Sequence, residues 1–389
     1  RISILANHPK LAVHNGYCCA GRRKEQESSS RPPLALLVAA HSVQLHRCLN
    51  CLHTADQLLR EASPTPSMPS MRHSWLLCLP LAASLAPVDQ IKTLLKLGRI
   101  DGATGYHELD SGFCNSVYRV DTHKKPVVVK IYSAMAKARC APACRGVVDE
   151  AVGAAGLGPQ IHVRTDDALV AEFVDGETLT ERDLKDEETA LTIAPKLAQL
   201  HALPIPPPLP QKPALWVGID AMLACEGDAL DASLLRREAA RMRDAVEACT
   251  HADVLGHGDL KPSNVLRLRR GGITFIDFEL AGPNYRGYDI FKLFRTSKLP
   301  AASDASLLSF VEAYLGEGAT QRAADACLLE TKLFEPLTWL EAAIFFSFAA
   351  ATLPEKRSEM AALARDRWAA YEDCAGAGFD AAVRNLNNT

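Results

Sequence analysis

Apolar and polar positions alternate with a strand-like period between about residues 105 and 175. Two β-rich runs, YHELDSGFCNSVYRV and KPVVVKIYS, flank the turn-like segment DTHKK, which predicts a hairpin or meander. DEAVGAAGLGPQI then predicts a helix that ends at glycine and proline, and ALVAEFV predicts another strand before a turn at Asp175-Gly176. The pattern predicts a small β-rich lobe with one main helix.

From about residue 180 the apolar spacing becomes that of helices. TERDLKDEETALTIAPKLAQLHAL and DASLLRREAARMRDAVEACTHA carry apolar residues at helical intervals, and the proline-rich stretch 204–213 interrupts them as a linker or surface loop. Strands return briefly around 264–278, and helices follow to about residue 374. This order predicts an α+β fold in which a small antiparallel β-sheet lobe precedes a larger, mostly α-helical lobe.

The same pattern divides the chain into four parts. Residues 1–70 contain polar stretches and Ser-Pro repeats, which predict a disordered or non-native extension. Residues 71–178 form the predicted N-terminal lobe; its leading apolar segment, 71–90, has the outline of a secretory signal over 71–86, with a buried leading segment as the favoured alternative. Residues 179–378 form the predicted helical lobe, and 379–389 a tail.

Charge and composition exclude several classes of protein. The 389 residues include 43 Lys and Arg against 46 Asp and Glu, so no net basic charge favours nucleic acid or an anionic membrane. The apolar fraction of 48% suffices for a sizeable core. The chain has no run of 18 or more apolar residues, so no segment is predicted to insert stably into a membrane. The twelve scattered cysteines predict reduced thiols and a cytoplasmic protein. The cluster His46, Cys48, Cys51 and His53 matches no closed zinc spacing, so free thiols are the favoured interpretation.

The most informative segment is VLGHGDLKPSNVLRLRRGGITFIDFE, residues 254–279. A predicted hairpin joins Asn264 to Asp277, so both side chains can face one site. An amide carbonyl and a carboxylate are hard oxygen ligands suited to Mg²⁺, which leaves Asp259 to accept a hydroxyl proton. Phosphoryl transfer needs this combination of a metal that neutralises phosphate charge and a carboxylate that orients the nucleophile.

HGDLKPSNVL followed by IDFE resembles the catalytic and metal-binding segments of the protein-kinase-like superfamily. Asp277-Phe278-Glu279 stands in place of Asp-Phe-Gly, and no Ala-Pro-Glu segment follows, which disfavours a protein kinase. LAGPNYRGYDIFKLF is similar to the signature of the choline/ethanolamine kinase family, and the similarity spans about residues 100–375 through SGFCNSVYRV, VVVKIY, AGLGPQIHV, LVAEFVDGETLT and IAPKLAQLHAL. The resemblance implies the bilobal protein-kinase-like fold.

The resemblance also implies roles for the matched residues. Asp259 would be the catalytic base, Asn264 and Asp277 the Mg²⁺ ligands, and Lys130 the residue that binds the α- and β-phosphates of ATP. Glu150 would pair with Lys130, with Asp149 as its rival. The other implied positions are the phosphate loop (Ser111, Gly112, Asn115, Ser116), substrate contacts (Glu279, Trp339, Glu341) and structural support of the site (His257, Arg286, Asp289).

Three departures from the family pattern concern the acceptor. Leu280 stands where the family has a tyrosine, Thr296 where a carboxylate is usual, and Ala342 where a second tryptophan would accompany Trp339. A trimethylammonium group depends on several aromatic faces, whereas a primary amine is bound with fewer rings. The resemblance therefore implies a kinase that uses ATP and Mg²⁺ to phosphorylate a small amino alcohol, with ethanolamine favoured over choline.

Two alternatives stay open at this point. One is a related kinase for another small hydroxyl compound, such as an aminoglycoside-like substrate. The other is a nucleotide-binding pseudokinase that serves as an interaction module, which the intact Asp259, Asn264, Asp277 and Lys130 argue against. The sequence also leaves open whether the protein forms a homodimer.

Overall fold

Five antiparallel strands form the sheet of the N-terminal lobe. The computed structural model describes residues 87–109, 114–225, 227, 229–251, 253–296 and 299–386. Val117 pairs with Lys130 across the hairpin predicted around DTHKK, which is confirmed. The strands lie in the order β1-β2-β3-β5-β4 and are β1 (Ala103–Leu109), β2 (Asn115–Thr122), β3 (Val127–Tyr132), β4 (Ile161–Arg164) and β5 (Ala168–Glu172).

Helices cover this sheet and connect it to the rest of the fold. Helix α1 (Pro87–Leu97), which the sequence pattern did not predict, buries Ile91 and Leu95 against the valine-rich interior of the sheet. A short helix α2 (Ala134–Arg139) follows β3. The predicted main helix is α3 (Val147–Ala154), and the chain leaves it at Gly156, whose φ of +72° is accessible to glycine without strain.

The C-terminal lobe is mostly helical, as predicted, and contains two small sheets. Strand β6 (Gly176–Thr178) pairs with β8 (Val265–Leu268), which pairs with β9 (Ile273–Phe275), while β7 (Val254–Gly256) pairs with β10 (Gly282–Asn284). The helices are α4 (Glu187–His201), α5 (Ala214–Leu223), α6 (Ala232–Cys249), α7 (Arg286–Phe294), α8 (Asp304–Leu315), α9 (Gln321–Leu333), α10 (Glu335–Thr352), α11 (Arg357–Cys374) and α12 (Ala377–Leu386). Short 3₁₀ helices lie at Pro142–Cys144, Asp183–Lys185, Pro262–Asn264 and Pro354–Lys356.

Apolar side chains join the two lobes. Val148 and Val152 of α3 pack into the same buried cluster as Leu255, Phe275 and Phe278 of the C-terminal lobe. Burying a large aliphatic or aromatic side chain contributes about 1.5–3 kcal/mol, so this contact fixes α3 over the catalytic segment. A second cluster packs α10 against α5, α6 and α7 and contains mostly aromatic and aliphatic side chains.

Residues 321–352 and the start of the predicted tail are both helical. Residues 321–352 are long and apolar enough to cross a membrane by length and composition, but 78% of the apolar window is buried within the fold, as in the core helices of globular proteins. The predicted tail at 379–389 begins inside α12, where Phe379 is buried. The predicted extension at 1–70, the signal-like segment 71–86 and the cluster at 46–53 lie outside the described residues.

Candidate active site

The catalytic segment begins where β7 ends. Residues 257–261 form a loop, and the 3₁₀ helix Pro262–Asn264 turns the chain into β8. Gly258 has a φ of +78°, and a Cβ there would lie 2.1 Å from the carbonyl oxygen of Leu280. Only glycine lets the loop pass so close to the next segment, and Asp259 follows directly.

The buried side chain of Asp289 holds this loop in place through hydrogen bonds. Asp289 of α7 accepts hydrogen bonds from the backbone N–H groups of His257 (2.6 Å) and Gly258 (2.9 Å), and its other partner is His201 Nε2 at 3.0 Å. Burial alone would raise the pKa of Asp289, but the hydrogen bond from His201 and the other donors keep that pKa below its usual value. Asp289 therefore fixes the loop as a charged acceptor.

The imidazole of His257 connects the loop to the metal-binding segment. Its Nε2 lies 3.0 Å from the carbonyl oxygen of Ile276, which can only accept, so Nε2 carries the proton and Nδ1 can accept from the Asp259 N–H at 3.4 Å. Burial lowers the pKa of His257, which favours the neutral ring. Asp289 thus contacts the loop and His257 is part of it, and their supporting roles stay predictions.

Arg286 occupies a different place. Its guanidinium contacts Glu330 of α9 at 2.8 Å, and Glu330 also accepts from Thr250, just before β7. The side chain therefore joins the start of α7 to α9, and the expected support of the site by Arg286 stays a prediction.

The hairpin formed by β8 and β9 brings Asn264 and Asp277 together, as predicted. Val265 pairs with Phe275, and the N–H of Ile276 donates to the carbonyl oxygen of Asn264 at 3.0 Å. Asp277 follows with a φ of +70°, a left-handed conformation that is uncommon for a residue other than glycine and is often found at functional sites.

This pair fits Mg²⁺. The Asn264 Nδ2 donates to the carbonyl oxygen of Asp259 at 2.9 Å, so its Oδ1 could bind a metal ion together with the Asp277 carboxylate. Within the described ranges, no three His, Cys, Asp or Glu side chains group as a metal centre. A sparse set of oxygen ligands suits Mg²⁺, because this ion keeps several waters and binds substrate phosphates.

Two lysines flank the carboxylate of Asp259. Lys261 Nζ lies 2.8 Å from its Oδ2, and Lys292 Nζ lies 3.0 Å from its Oδ1. Burial on its own would raise the pKa of Asp259, but the two ammonium groups outweigh it and hold this pKa well below its usual range. Asp259 is therefore ionised and oriented from both sides.

Lys130 of β3 bridges two carboxylates of the Asp277-Phe278-Glu279 motif. It forms an ion pair with Asp277 and lies 3.3 Å from Glu279 Oε2. Burial alone would lower the pKa of Lys130, but the charges of Asp277 and Glu279 keep that pKa well above its usual value. The lysine is charged and directly adjacent to the predicted metal ligand.

The predicted pairing of Glu150 with Lys130 is wrong. Glu150 is exposed on α3 and accepts from Arg164 Nε at 2.7 Å. Asp149, one residue earlier and so rotated by about 100° around the helix, faces Lys130 instead. Burial raises the pKa of Asp149 to about 6, and the nearby charge of Lys130 only partly opposes that rise.

The phosphate-loop residues divide between described and undescribed parts of the chain. Asn115 and Ser116 begin β2, whereas Ser111 and Gly112 lie outside the described residues. Asn115 Nδ2 donates to Glu279 Oε2, and its Oδ1 accepts from the Ser133 N–H at 3.3 Å. Asn115 therefore fixes Glu279 from the N-terminal lobe.

The sequence analysis missed Lys292. Its ammonium group is 3% exposed and lies near Asp259, Glu341 Oε2 (3.1 Å), the Tyr288 hydroxyl (3.0 Å) and the Gly258 carbonyl oxygen (3.3 Å). These acceptors raise the pKa of Lys292 although burial alone would lower it. The only signal in the sequence is one lysine within the apolar run of DIFKLF.

A small pocket opens beside this lysine. Its wall includes Arg139, Gly258, Leu280, Tyr288 and Glu341, together with apolar residues of α5. Glu341, a predicted substrate contact, is thus at the pocket, and Glu279, another one, contacts Arg139 at 2.8 Å. These roles stay predictions, since the described atoms show their positions only.

Trp339, the third predicted substrate contact, lies between two cations. The guanidinium groups of Arg295 and Arg367 lie 5.0 Å and 5.5 Å from its ring centroid. Both are within cation–π distance, so the ring already has cationic partners from the protein.

Comparison with known proteins finds a matching family. The family model described as choline/ethanolamine kinase matches residues 106–372. The chain is 25% identical to ethanolamine kinase 2 of Mus musculus over 46% of this chain and 52% of that protein. It is 28% identical to the probable choline kinase 1 of Arabidopsis thaliana over 55% of this chain and 66% of that protein. The chain thus spans only about half to two thirds of the length of these relatives.

A solved structure shows the same fold. The choline/ethanolamine kinase family protein of Mesorhizobium loti superposes with a TM-score of 0.59 at 19% identity, over 78% of this chain and 99% of that one. The predicted protein-kinase-like bilobal fold is therefore confirmed.

Proposed function

Because the chain belongs to the choline/ethanolamine kinase family, we propose that it transfers the γ-phosphoryl group of ATP to the hydroxyl of a small amino alcohol. The observation that carries this proposal is the convergence of Asp259, Asn264, Asp277 and Lys130 around one loop and one hairpin. Asp259 would accept the hydroxyl proton as the acceptor oxygen attacks phosphorus and the bond to ADP breaks.

Asn264 and Asp277 would hold Mg²⁺, which neutralises phosphate charge when bound. Lys130 is then free to pair with the nucleotide phosphates, because its present partner Asp277 is the metal ligand. Glu279 stays beside Lys130 and keeps it charged and oriented. The chain's own residues thus position the nucleotide and the acceptor hydroxyl without a covalent intermediate.

Among amino alcohols, ethanolamine is favoured over choline. Leu280 lies in the pocket wall where an aromatic face would be needed, and guanidinium groups flank Trp339. A trimethylammonium group would find one aromatic ring, Tyr288, among the pocket residues named above. A compact primary ammonium needs fewer such contacts.

The proposed function is tested by measuring ADP release from MgATP with ethanolamine, choline, an aminoglycoside or no acceptor. We expect acceptor-dependent turnover, with a higher kcat/KM for ethanolamine than for choline. Nucleotide binding without transfer to any alcohol would contradict the proposal and favour the pseudokinase. Turnover of the aminoglycoside alone would favour the kinase of another hydroxyl compound.

A further inference from the structure

The pocket lined by Arg139, Gly258, Leu280, Tyr288 and Glu341 has one carboxylate in its wall, that of Glu341. This carboxylate and three others in the catalytic segment each contact at least one cation of the protein. Asp259 contacts Lys261 and Lys292, Glu341 contacts Lys292, Asp277 contacts Lys130, and Glu279 contacts Lys130 and Arg139. A cationic acceptor would therefore meet no unpaired carboxylate among them.

Lys292 is the cation that Glu341 of the pocket wall already binds. Its ammonium group lies 3.0 Å from Asp259 and 3.1 Å from Glu341, and the Tyr288 hydroxyl and Gly258 carbonyl complete its surroundings. Removing a buried ammonium from two carboxylates is costly, so Lys292 stays in place when the acceptor binds.

Arg139 offers the pocket a hydrogen-bond donor. The residue is 7% exposed and lines the pocket, and its Nη2 donates to Glu279 Oε1 and Cys114 Sγ. Its Nε is buried and has no hydrogen-bond partner within the described residues. A buried unpaired donor is unfavourable unless a ligand supplies the acceptor, and a guanidinium group matches a planar carboxylate best.

We propose that the phosphoryl acceptor is an alcohol that also carries a carboxylate, which Arg139 binds through Nε. This inference rests on the proposed function, because it assigns the pocket to the acceptor of that reaction. The acceptor hydroxyl attacks the γ-phosphorus, its proton passes to Asp259, and the bond to ADP breaks. The carboxylate takes no part in these steps and only positions the molecule.

Ethanolamine and L-serine make a matched pair, since L-serine adds a carboxylate to the same amino alcohol. We expect the wild-type protein to give a kcat/KM at least about tenfold higher for L-serine, because a hydrogen bond to a charged group contributes about 1.5–3 kcal/mol. D-glycerate, which retains the carboxylate and lacks the amine, should also be phosphorylated.

Substitution of Arg139 tests the contact itself. In Arg139→Gln the ratio of kcat/KM for L-serine to that for ethanolamine should fall at least about tenfold, mainly through a higher KM for L-serine. Arg139→Lys retains the charge, so the ratio should fall by a smaller factor in this variant. A smaller fall would also show that the loss in Arg139→Gln is not due to misfolding. Arg243→Gln is the matched control, because Arg243 also has a buried unpartnered Nε but lines a separate groove between α5 and α6.

The outcomes separate the two proposals. Turnover of ethanolamine with no turnover of L-serine or D-glycerate would overturn the carboxylate inference and leave the proposed function intact. An unchanged ratio in Arg139→Gln would overturn the role of Arg139. Absence of transfer to every alcohol would overturn the proposed function, and the inference would fall with it.

Discussion

Two lysines each bridge a pair of carboxylates, one on either side of the site. Lys130 joins Asp277 and Glu279 on the proposed nucleotide side, and its side chain is 12% exposed. Lys292 joins Asp259 and Glu341 on the proposed acceptor side, and its side chain is 3% exposed. Lys130 belongs to β3 of the N-terminal lobe, whereas Lys292 and its partners all belong to the C-terminal lobe.

The remaining contacts of the two lysines differ, and so do the roles that we propose for them. The ion-pair partners of Lys130 are carboxylates, and one of them is the proposed metal ligand, so a bound nucleotide can replace that contact. Lys292 also contacts the neutral Tyr288 hydroxyl and the Gly258 carbonyl oxygen, which no substrate would displace. An ammonium group whose ion-pair partners a ligand can replace therefore indicates a binding site, whereas one whose acceptors all stay in place indicates a structural role.

The largest expected effect comes from the carboxylate that Lys292 orients. Asp259→Asn should lower kcat by about 10²–10⁴-fold, since it removes the group that accepts the hydroxyl proton, while MgATP affinity changes little. Steady-state kinetics and a nucleotide-binding titration check this. Asp304→Asn, which changes a surface carboxylate paired with Lys332, is the control. Equal rates for Asp259→Asn and wild type would remove Asp259 from the reaction.

Substitution of Lys130 should weaken the binding of the nucleotide. Lys130→Met should lower kcat/KM for MgATP by about 10²-fold, because an ammonium group that pairs with phosphate is lost. Lys137→Met is matched to it, since Lys137 forms an exposed pair with Asp167 in the same lobe. If Lys130→Met changed only the KM of the acceptor, the assignment of the two sides would be reversed.

The free energy of unfolding should depend more on Lys292 than on Lys130. Lys292→Met leaves the buried Glu341 and the partly buried Asp259 without their shared cation and should lower the free energy of unfolding by about 3–5 kcal/mol. Lys130 is closer to solvent, so Lys130→Met should cost less. Urea unfolding measures both, with Lys332→Met as a surface control expected to cost about 0–1 kcal/mol. A smaller loss for Lys292→Met than for Lys130→Met would contradict the comparison.

The smallest predicted effect concerns Asp149, which faces Lys130. Its pKa is raised to about 6 from 3.8, mainly by burial, so the folded state binds this proton more tightly than the unfolded state. The contribution of Asp149 to the free energy of unfolding therefore falls as pH rises from about 4 to about 6 and is constant above.

Asp149→Asn should remove that slope. The variant should gain stability relative to wild type across this window, by about 1–2 kcal/mol after allowance for partial exposure. Glu150→Gln is the control on the same helix, and it should show no such difference because Glu150 pairs with Arg164 at the surface. An equal pH-dependent gain in Glu150→Gln would contradict the assignment of the slope to Asp149.

The sequence predicted the parts of the site that a local motif carries. The spacing of Asp259, Asn264 and Asp277 places them around one hairpin because the backbone between them is short and regular. The sequence could not distinguish Glu150 from Asp149, since neighbouring helical residues point about 100° apart and the helix phase depends on packing.

The residues that the sequence missed act through distant contacts. Lys292 reaches Glu341 across 49 positions, and Arg139 reaches Glu279 across 140. No periodicity encodes such contacts, because they depend on how α2, α7 and α10 pack around the loop. Helix α1 was missed for a related reason: its apolar face is recognisable only once the sheet beneath it is known.

The most direct test of phosphoryl transfer to an alcohol is ³¹P NMR of the full chain with MgATP, ethanolamine and L-serine in one sample. The account predicts that the γ-phosphate resonance of ATP decays as a phosphomonoester resonance grows, and that Asp259→Asn stops both changes. Release of the γ-phosphate only as inorganic phosphate, or an unchanged ATP spectrum with bound nucleotide, would contradict it.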